Sequence, residues 1–73
     1  MNVKPISANN VAFYKYGKVI AVASPERGGW KLVDMYGEAV GGGEPLPSLG
    51  AAEAVVLSKT YQEYVDKAHA MAG

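Results

Sequence analysis

The sequence predicts an α+β fold, an antiparallel β-meander of three to four strands followed by one C-terminal α-helix packed on the sheet. Three observations lead there. Residues 11–16, 18–23 and 30–36 are short runs rich in aromatic and β-branched side chains, separated by glycine-bearing turns, the pattern of strands joined by hairpins. After Ser48 the period changes: Leu57, Tyr61, Tyr64, Ala68 and Met71 fall on one helical stripe, opposite Ser58, Lys59, Gln62, Asp66 and His69, as in an amphipathic helix. Between the two regimes lies Gly41-Gly42-Gly43-Glu44-Pro45-Leu46-Pro47, a linker whose prolines delay the start of any helix.

Residues 1–9 form a polar lead whose Pro5 and Asn9 suit a coil more than a paired strand. The remainder, 10–73, reads as one domain with its sheet over 10–41, the linker over 42–47 and the helix over 48–72. Gly17 turns the first strand into the second. It fits either the second position of a two-residue type I′ loop or the left-handed position of a type I turn with a bulge. The first choice puts Phe13 on a face with Ile20 and Val22, the second with Val19 and Ala21. Tyrosine is a poor first residue for type I′, so the bulge is expected.

Ser24-Pro25-Glu26-Arg27-Gly28-Gly29 is a turn cluster. The run after it holds the only tryptophan and reads as the central strand, with Trp30, Leu32 and Tyr36 on one face and Val33 and Met35 on the other. Tyr36-Gly37-Glu38 then repeats the Tyr16-Gly17-Lys18 pattern and predicts a second use of one hairpin turn, leading into a short fourth strand.

Ser48 is a candidate N-cap, and Ala51-Ala52-Glu53-Ala54 favours helix. Val55-Val56 is the weak point, where a kink or short strand could intervene; a continuous helix is expected. Such a helix would run roughly 36 Å, whereas strands of about six residues cover some 20 Å. Either it breaks near Ser58, or its second half packs on something else, and a homodimer through the C-terminal helix is the expectation.

With 73 residues and no cysteine, the chain is near the lower limit for a single core and must fold without disulfides or thiolate metal sites, which suits a reducing, cytoplasmic setting. Seven basic and seven acidic residues cancel, removing the long-range field that draws proteins to nucleic acid or anionic lipid. The N-terminus lacks the apolar stretch of a signal peptide, and no run approaches the roughly 20 apolar residues of a membrane span.

No catalytic constellation stands out, and an enzyme is not expected. His69 lies on the polar face without a partner acid or further ligands at metal-binding spacing. The serines fall in turns or on a polar face, and the carboxylates are scattered. Gly41-Gly42-Gly43-Glu44 lacks the lysine and hydroxyl of a phosphate loop. No cofactor is implied. The candidate partner-binding residues are Tyr14, Tyr16, Lys18, Arg27, Lys31 and Tyr36 on the sheet and Tyr61 and Tyr64 on the helix. The aromatic and basic residues of the sheet also resemble a surface for single-stranded nucleic acid, but the zero net charge disfavours that partner.

Tyr16-Gly17-Lys18-Val19-Ile20-Ala21-Val22, Gly28-Gly29-Trp30-Lys31-Leu32-Val33-Asp34 and Ala51-Ala52-Glu53-Ala54 together resemble, at the level of pattern, small accessory proteins encoded by phages and prophages, including host-takeover and anti-defence proteins. That resemblance implies stoichiometric binding to a host protein, without a cofactor. The strands-then-helix order is also similar to the arm-binding domains of tyrosine integrases, which lay a sheet in a DNA groove, although the basic excess of those strands is missing here.

Overall fold

The computed structural model describes residues 2–5, 9–40 and 44–72. Strands β1 (Asn2–Pro5), β2 (Val11–Lys15), β3 (Lys18–Glu26) and β4 (Gly29–Asp34) form an antiparallel sheet in the order β1-β2-β3-β4, followed by helices α1 (Leu49–Leu57) and α2 (Lys59–Ala72). The α+β class and the meander stand as expected, and the buried sheet side chains among the described residues come from β2, β3 and β4. The placement of the outer strands and the number of helices differ.

The lead expected to be coil contributes β1, whose residues Asn2 to Pro5 pair with Tyr14 to Val11. An edge strand is bonded on one side only, so a proline at its end is tolerated. The expected fourth strand around Ala39 is reduced to an isolated bridge, Val33 to Ala39. The tryptophan strand is therefore an edge of the sheet, and the nine-residue β3 is the long inner strand. β3 also runs through part of the expected turn cluster, to Glu26. Its Pro25 pairs with Trp30, but β2 ends opposite Ala23, so on that side no β2 carbonyl waits for the missing N–H.

The free side of β4 is closed by the chain itself. Trp30 N–H donates to the Leu46 carbonyl at 2.8 Å and Leu46 N–H to the Trp30 carbonyl at 2.7 Å, while Val40 N–H donates to Leu32 at 2.9 Å. The end of the linker is thus a fixed part of the sheet; Gly41 to Gly43 lie outside the described residues. Gly29 is required by this approach, since a Cβ there would stand 2.0 Å from the Leu46 carbonyl oxygen.

The first hairpin resolves the question of register in an unexpected way. Tyr16 and Gly17 both have positive φ, 57° and 72°, the type I′ geometry that tyrosine disfavours, and Lys15 pairs with Lys18. The bulge lies further in: Tyr14 pairs with Val19 and Phe13 with Ala21, which leaves Ile20 as the extra residue. Phe13 therefore shares a face with Ala21 but not with Val19. The extra residue also lets Ile20 and Ala21 both be buried, which strict alternation would forbid. The Ile20 carbonyl is taken up by the buried Tyr61 hydroxyl, which donates to it.

The helix is broken at Ser58, and the physical cause is a double cap. Ser58 is extended (φ −62°, ψ 150°); its Oγ donates to the Val55 carbonyl at 2.6 Å, ending α1, and accepts from Tyr61 N–H at 3.3 Å, starting α2. The Gln62 side-chain amide donates to the Val56 carbonyl at 2.6 Å, so two carbonyls orphaned by the break are satisfied. At the other end Ser48 is the N-cap, accepting from Ala51 N–H at 3.1 Å. The break resets the helical phase. Ala52, Val56, Tyr61 and Val65 face the sheet, whereas Leu57 and Met71, expected on the buried stripe, are exposed. With two shorter helices the mismatch in length that argued for a homodimer is gone.

The core lies between the helices and one sheet face, where Phe13, Ile20, Ala21, Ala23 and Leu32 meet Ala52, Val56, Tyr61 and Val65. Phe13, Leu32, Val56 and Val65 are fully buried, each worth about 1.5 to 3 kcal/mol. Trp30 only packs against the edge of this cluster. No helix among the described residues is long and apolar enough to cross a membrane.

Candidate binding groove

Two turns and one helix meet at the end of the sheet that carries the Lys15–Lys18 closure. The first turn projects Tyr16 across α2. Its hydroxyl donates to Asp66 Oδ1 at 2.7 Å, and its ring stacks on His69 with centroids 4.1 Å apart and planes 19° from parallel. Lys15 Nζ donates to the same carboxylate at 2.9 Å and to the Gln62 side-chain carbonyl. These contacts hold a non-glycine residue in the left-handed region, a conformation that persists only where the surroundings impose it. The hydrogen bonds from Tyr16 and then Lys15 hold the Asp66 carboxyl below its usual range, and the bond to Asp66 pushes the Tyr16 phenol and the Lys15 ammonium up.

The second turn follows β4. Asp34 Oδ1 accepts from the backbone N–H groups of Tyr36 at 2.8 Å and Glu38 at 3.0 Å. Gly37 N–H donates to the Asp34 carbonyl at 3.1 Å with Gly37 at φ 81°, and Asp34 N–H donates to Glu38 at 2.8 Å. This is a three-residue loop of type I ending in a left-handed glycine. Asp34 Oδ2 accepts from the Tyr64 hydroxyl at 3.3 Å. Burial, followed by the charge of Asp34, pushes the Tyr64 phenol up. Tyr36 meets Tyr64 edge to face with centroids 6.5 Å apart, and Tyr64 leans on Tyr61 at 5.8 Å.

Between these turns and α2 lie two adjoining hollows of about 230 and 210 Å³ that share Tyr36 and Ala68. The larger is walled by the first turn, by Val19, Ile20 and Met35, and by Val65 and His69; the smaller by Tyr64, Lys67 and Met71. The surrounding side chains are well exposed, Tyr16 at 50%, Tyr36 at 68% and Met71 at 79%.

Of the candidate residues, Tyr16, Lys18, Tyr36 and Tyr64 line the groove. Tyr61 is 6% exposed and belongs to the core; burial pushes its phenol well above the usual tyrosine range. Tyr14 and Lys31 lie on the sheet face away from the helices, as the register with Val19 and Ser24 requires, and Arg27 sits in the turn at the opposite end of the sheet. The aromatic and basic residues grouped from sequence for nucleic acid are therefore divided among three regions. Met35, Lys67, Ala68 and His69 were not among the candidates. His69, expected to be surface alone, is exposed but stacked on Tyr16. Lys15 and Asp66 are 51 residues apart, so no local pattern could have joined them. Among the described residues no group of three His, Cys, Asp or Glu could hold a metal ion. Compared with protein-family models, curated proteins and solved structures, the chain matches none.

Proposed function

We propose that this chain is a non-enzymatic protein-interaction module that binds a partner protein through the groove at the turn end of the sheet. The observation that carries the reading is the continuity of exposed apolar surface, with Tyr16, Val19, Tyr36, Tyr64 and Met71 all exposed around two hollows that touch. Single exposed apolar residues are ordinary, whereas a contiguous patch marks an interaction site. The resemblance to phage- and prophage-encoded accessory proteins supports the same reading and supplies the kind of partner, a host protein bound stoichiometrically. A lack of cysteine fits a meeting in the reducing cytoplasm.

Affinity capture from the source organism, run in parallel with the wild-type chain and with Tyr36→Lys, tests this. A protein recovered stoichiometrically by the wild type and lost by a folded Tyr36→Lys variant is the expected outcome. Recovery of no protein that distinguishes the two would refute the reading.

A further inference from the structure

Nothing in the covalent chain obliges the helix to stop at Ser58: residues 49–72 hold no proline, and their one glycine, Gly50, lies at the start of α1. Side chains hold the break instead. The Ser58 hydroxyl is shared between the Val55 carbonyl and Tyr61 N–H, and the Gln62 amide donates to the Val56 carbonyl. The groups that fasten α2 to the sheet all lie beyond that residue. Tyr61 donates to the Ile20 carbonyl, Val65 is buried in the core, Asp66 accepts from Lys15 and Tyr16, and His69 stacks on Tyr16. A helical Ser58 would fuse α1 and α2 into one helix of roughly 36 Å. The flanking strands β2 and β4, of five and six residues, span at most about 20 Å, so the fused helix would carry all of these anchors off their own sheet together.

We propose that Ser58 is a hinge across which α2 is exchanged between two copies of this chain. In the exchanged dimer α1 stays on its own sheet through Ala52 and Val56, while α2 lies on the other copy's sheet and forms there the bonds it forms within one chain. An exchanged element keeps its contacts, so the balance between monomer and dimer is set by the entropy of association and by the hinge. At the hinge the straight helix recovers backbone bonds that the break interrupts and gives up the side-chain bonds of Ser58 and Gln62. Each groove is then composite, with Tyr16 and Tyr36 from one copy and Tyr64, Ala68 and His69 from the other. The exchange goes beyond the partner-binding reading above and does not depend on it.

The test refolds isotope-labelled and unlabelled full chain together from urea at high concentration and separates monomer from dimer by gel filtration. A carbodiimide then joins the Lys15 ammonium to the Asp66 carboxylate, 2.9 Å away. Expected from the dimer is a Lys15–Asp66 peptide with one labelled and one unlabelled arm, whereas the monomer gives arms that are both labelled or both unlabelled. Ser58→Ala removes the shared cap and favours helix, and should tighten the monomer–dimer equilibrium about tenfold. Ser58→Gly, a tolerated cap and a poor helix former, should not tighten it. Circular dichroism checks that both variants fold, and the cross-link in the wild-type chain decides the matter where one does not. A dimer whose Lys15–Asp66 links all stay within one chain would be a side-by-side pair and would overturn the exchange. So would a wild-type chain that stays monomeric after refolding together with a folded Ser58→Ala that does the same. Equal association of the alanine and glycine variants would overturn Ser58 as the hinge.

Discussion

Two tyrosine–glycine turns stand side by side at the groove, and they are built differently. In the first, Tyr16 and Gly17 both take positive φ and the loop has two residues. In the second only Gly37 does so, and the loop has three. The difference traces to the residue two places before the tyrosine. Asp34 is a short carboxylate that accepts two N–H groups of its own turn, as Asp does wherever it can fold back on the backbone. The corresponding Tyr14 cannot do this, so the first turn relies on contacts from far along the chain, Asp66 and His69 on α2. One turn is fixed locally and the other by tertiary contact.

The largest effect expected on this contrast comes from Tyr61→Phe. The Tyr61 hydroxyl is buried and satisfies the carbonyl of Ile20, the extra residue that sets the register of the first hairpin. Losing it leaves a buried acceptor unpaired, at about 1 to 3 kcal/mol, read from urea unfolding. The pH dependence gives a second measure. Because the folded-state phenol is raised above the ordinary value of 10.0, its contribution is complete below about pH 10 and is lost as pH rises through the folded value. Tyr61→Phe should flatten that alkaline decline. A variant with unchanged stability and an unchanged alkaline limb would show that the bulge stands without this bond.

Asp34→Ala should come next, at about 1 to 2 kcal/mol, since it removes both turn bonds and the contact from Tyr64. Its effect should stay local. In NMR spectra the shifts of Tyr36, Gly37 and Glu38 should move while those of Tyr16 and Gly17 hold. Equal changes in both turns would refute their independence.

Local sequence and long-range packing divide the fold along the same line. The strand runs, the Ser48 cap and the helical region were legible because periodicity and capping are encoded within a few residues. Ser58 carried a legible signal too, a preferred N-cap residue three places before Tyr61, and a break near it was one of the two ways out of the mismatch in length, but a continuous helix was expected because its immediate neighbours Leu57 and Lys59 favour helix. The type I′ turn was not legible, because what holds Tyr16 in it is supplied about 50 residues later. Nor was the edge position of the Trp30 strand, which depends on Leu46 and Val40 folding back to close it. In the groove, the exposed tyrosines could be nominated one by one, but which of them converge follows from the Ser58 break, which turns Val65 inward and leaves Tyr64 and Met71 at the rim.

Gly17→Ala and Gly37→Ala form a matched pair. Both glycines have positive φ, and a Cβ at either would meet nothing within 4 Å, so only backbone strain separates glycine from alanine. Each should cost about 1 kcal/mol, measured by thermal unfolding. The similarity of the two values would show that the second residue of the pair plays one role in both turns. A near-neutral result at Gly17 alone would mean that the first turn can change type.

The smallest expected effect is also the most direct test of the tertiary anchor. Tyr16 and Lys15 both donate to Asp66, and the Tyr16 bond is the leading cause of its lowered titration. A carboxyl lowered in the folded state contributes stability that is complete above its ordinary value of 3.8 and is lost as pH falls through the lower folded value. Tyr16→Phe keeps the ring, its stacking on His69 and the glycine beside it, but deletes the hydroxyl. Asp66, followed by NMR, should then titrate closer to its ordinary value, with Lys15 and, more weakly, His69 left to hold it. Tyr36→Phe should leave Asp66 where it is, because Tyr36 makes no bond to α2 carboxylates among the described contacts. If Tyr16→Phe also leaves Asp66 unmoved, Lys15 and His69 hold the carboxylate without the hydroxyl, and the left-handed tyrosine must be kept in place by its stacking on His69.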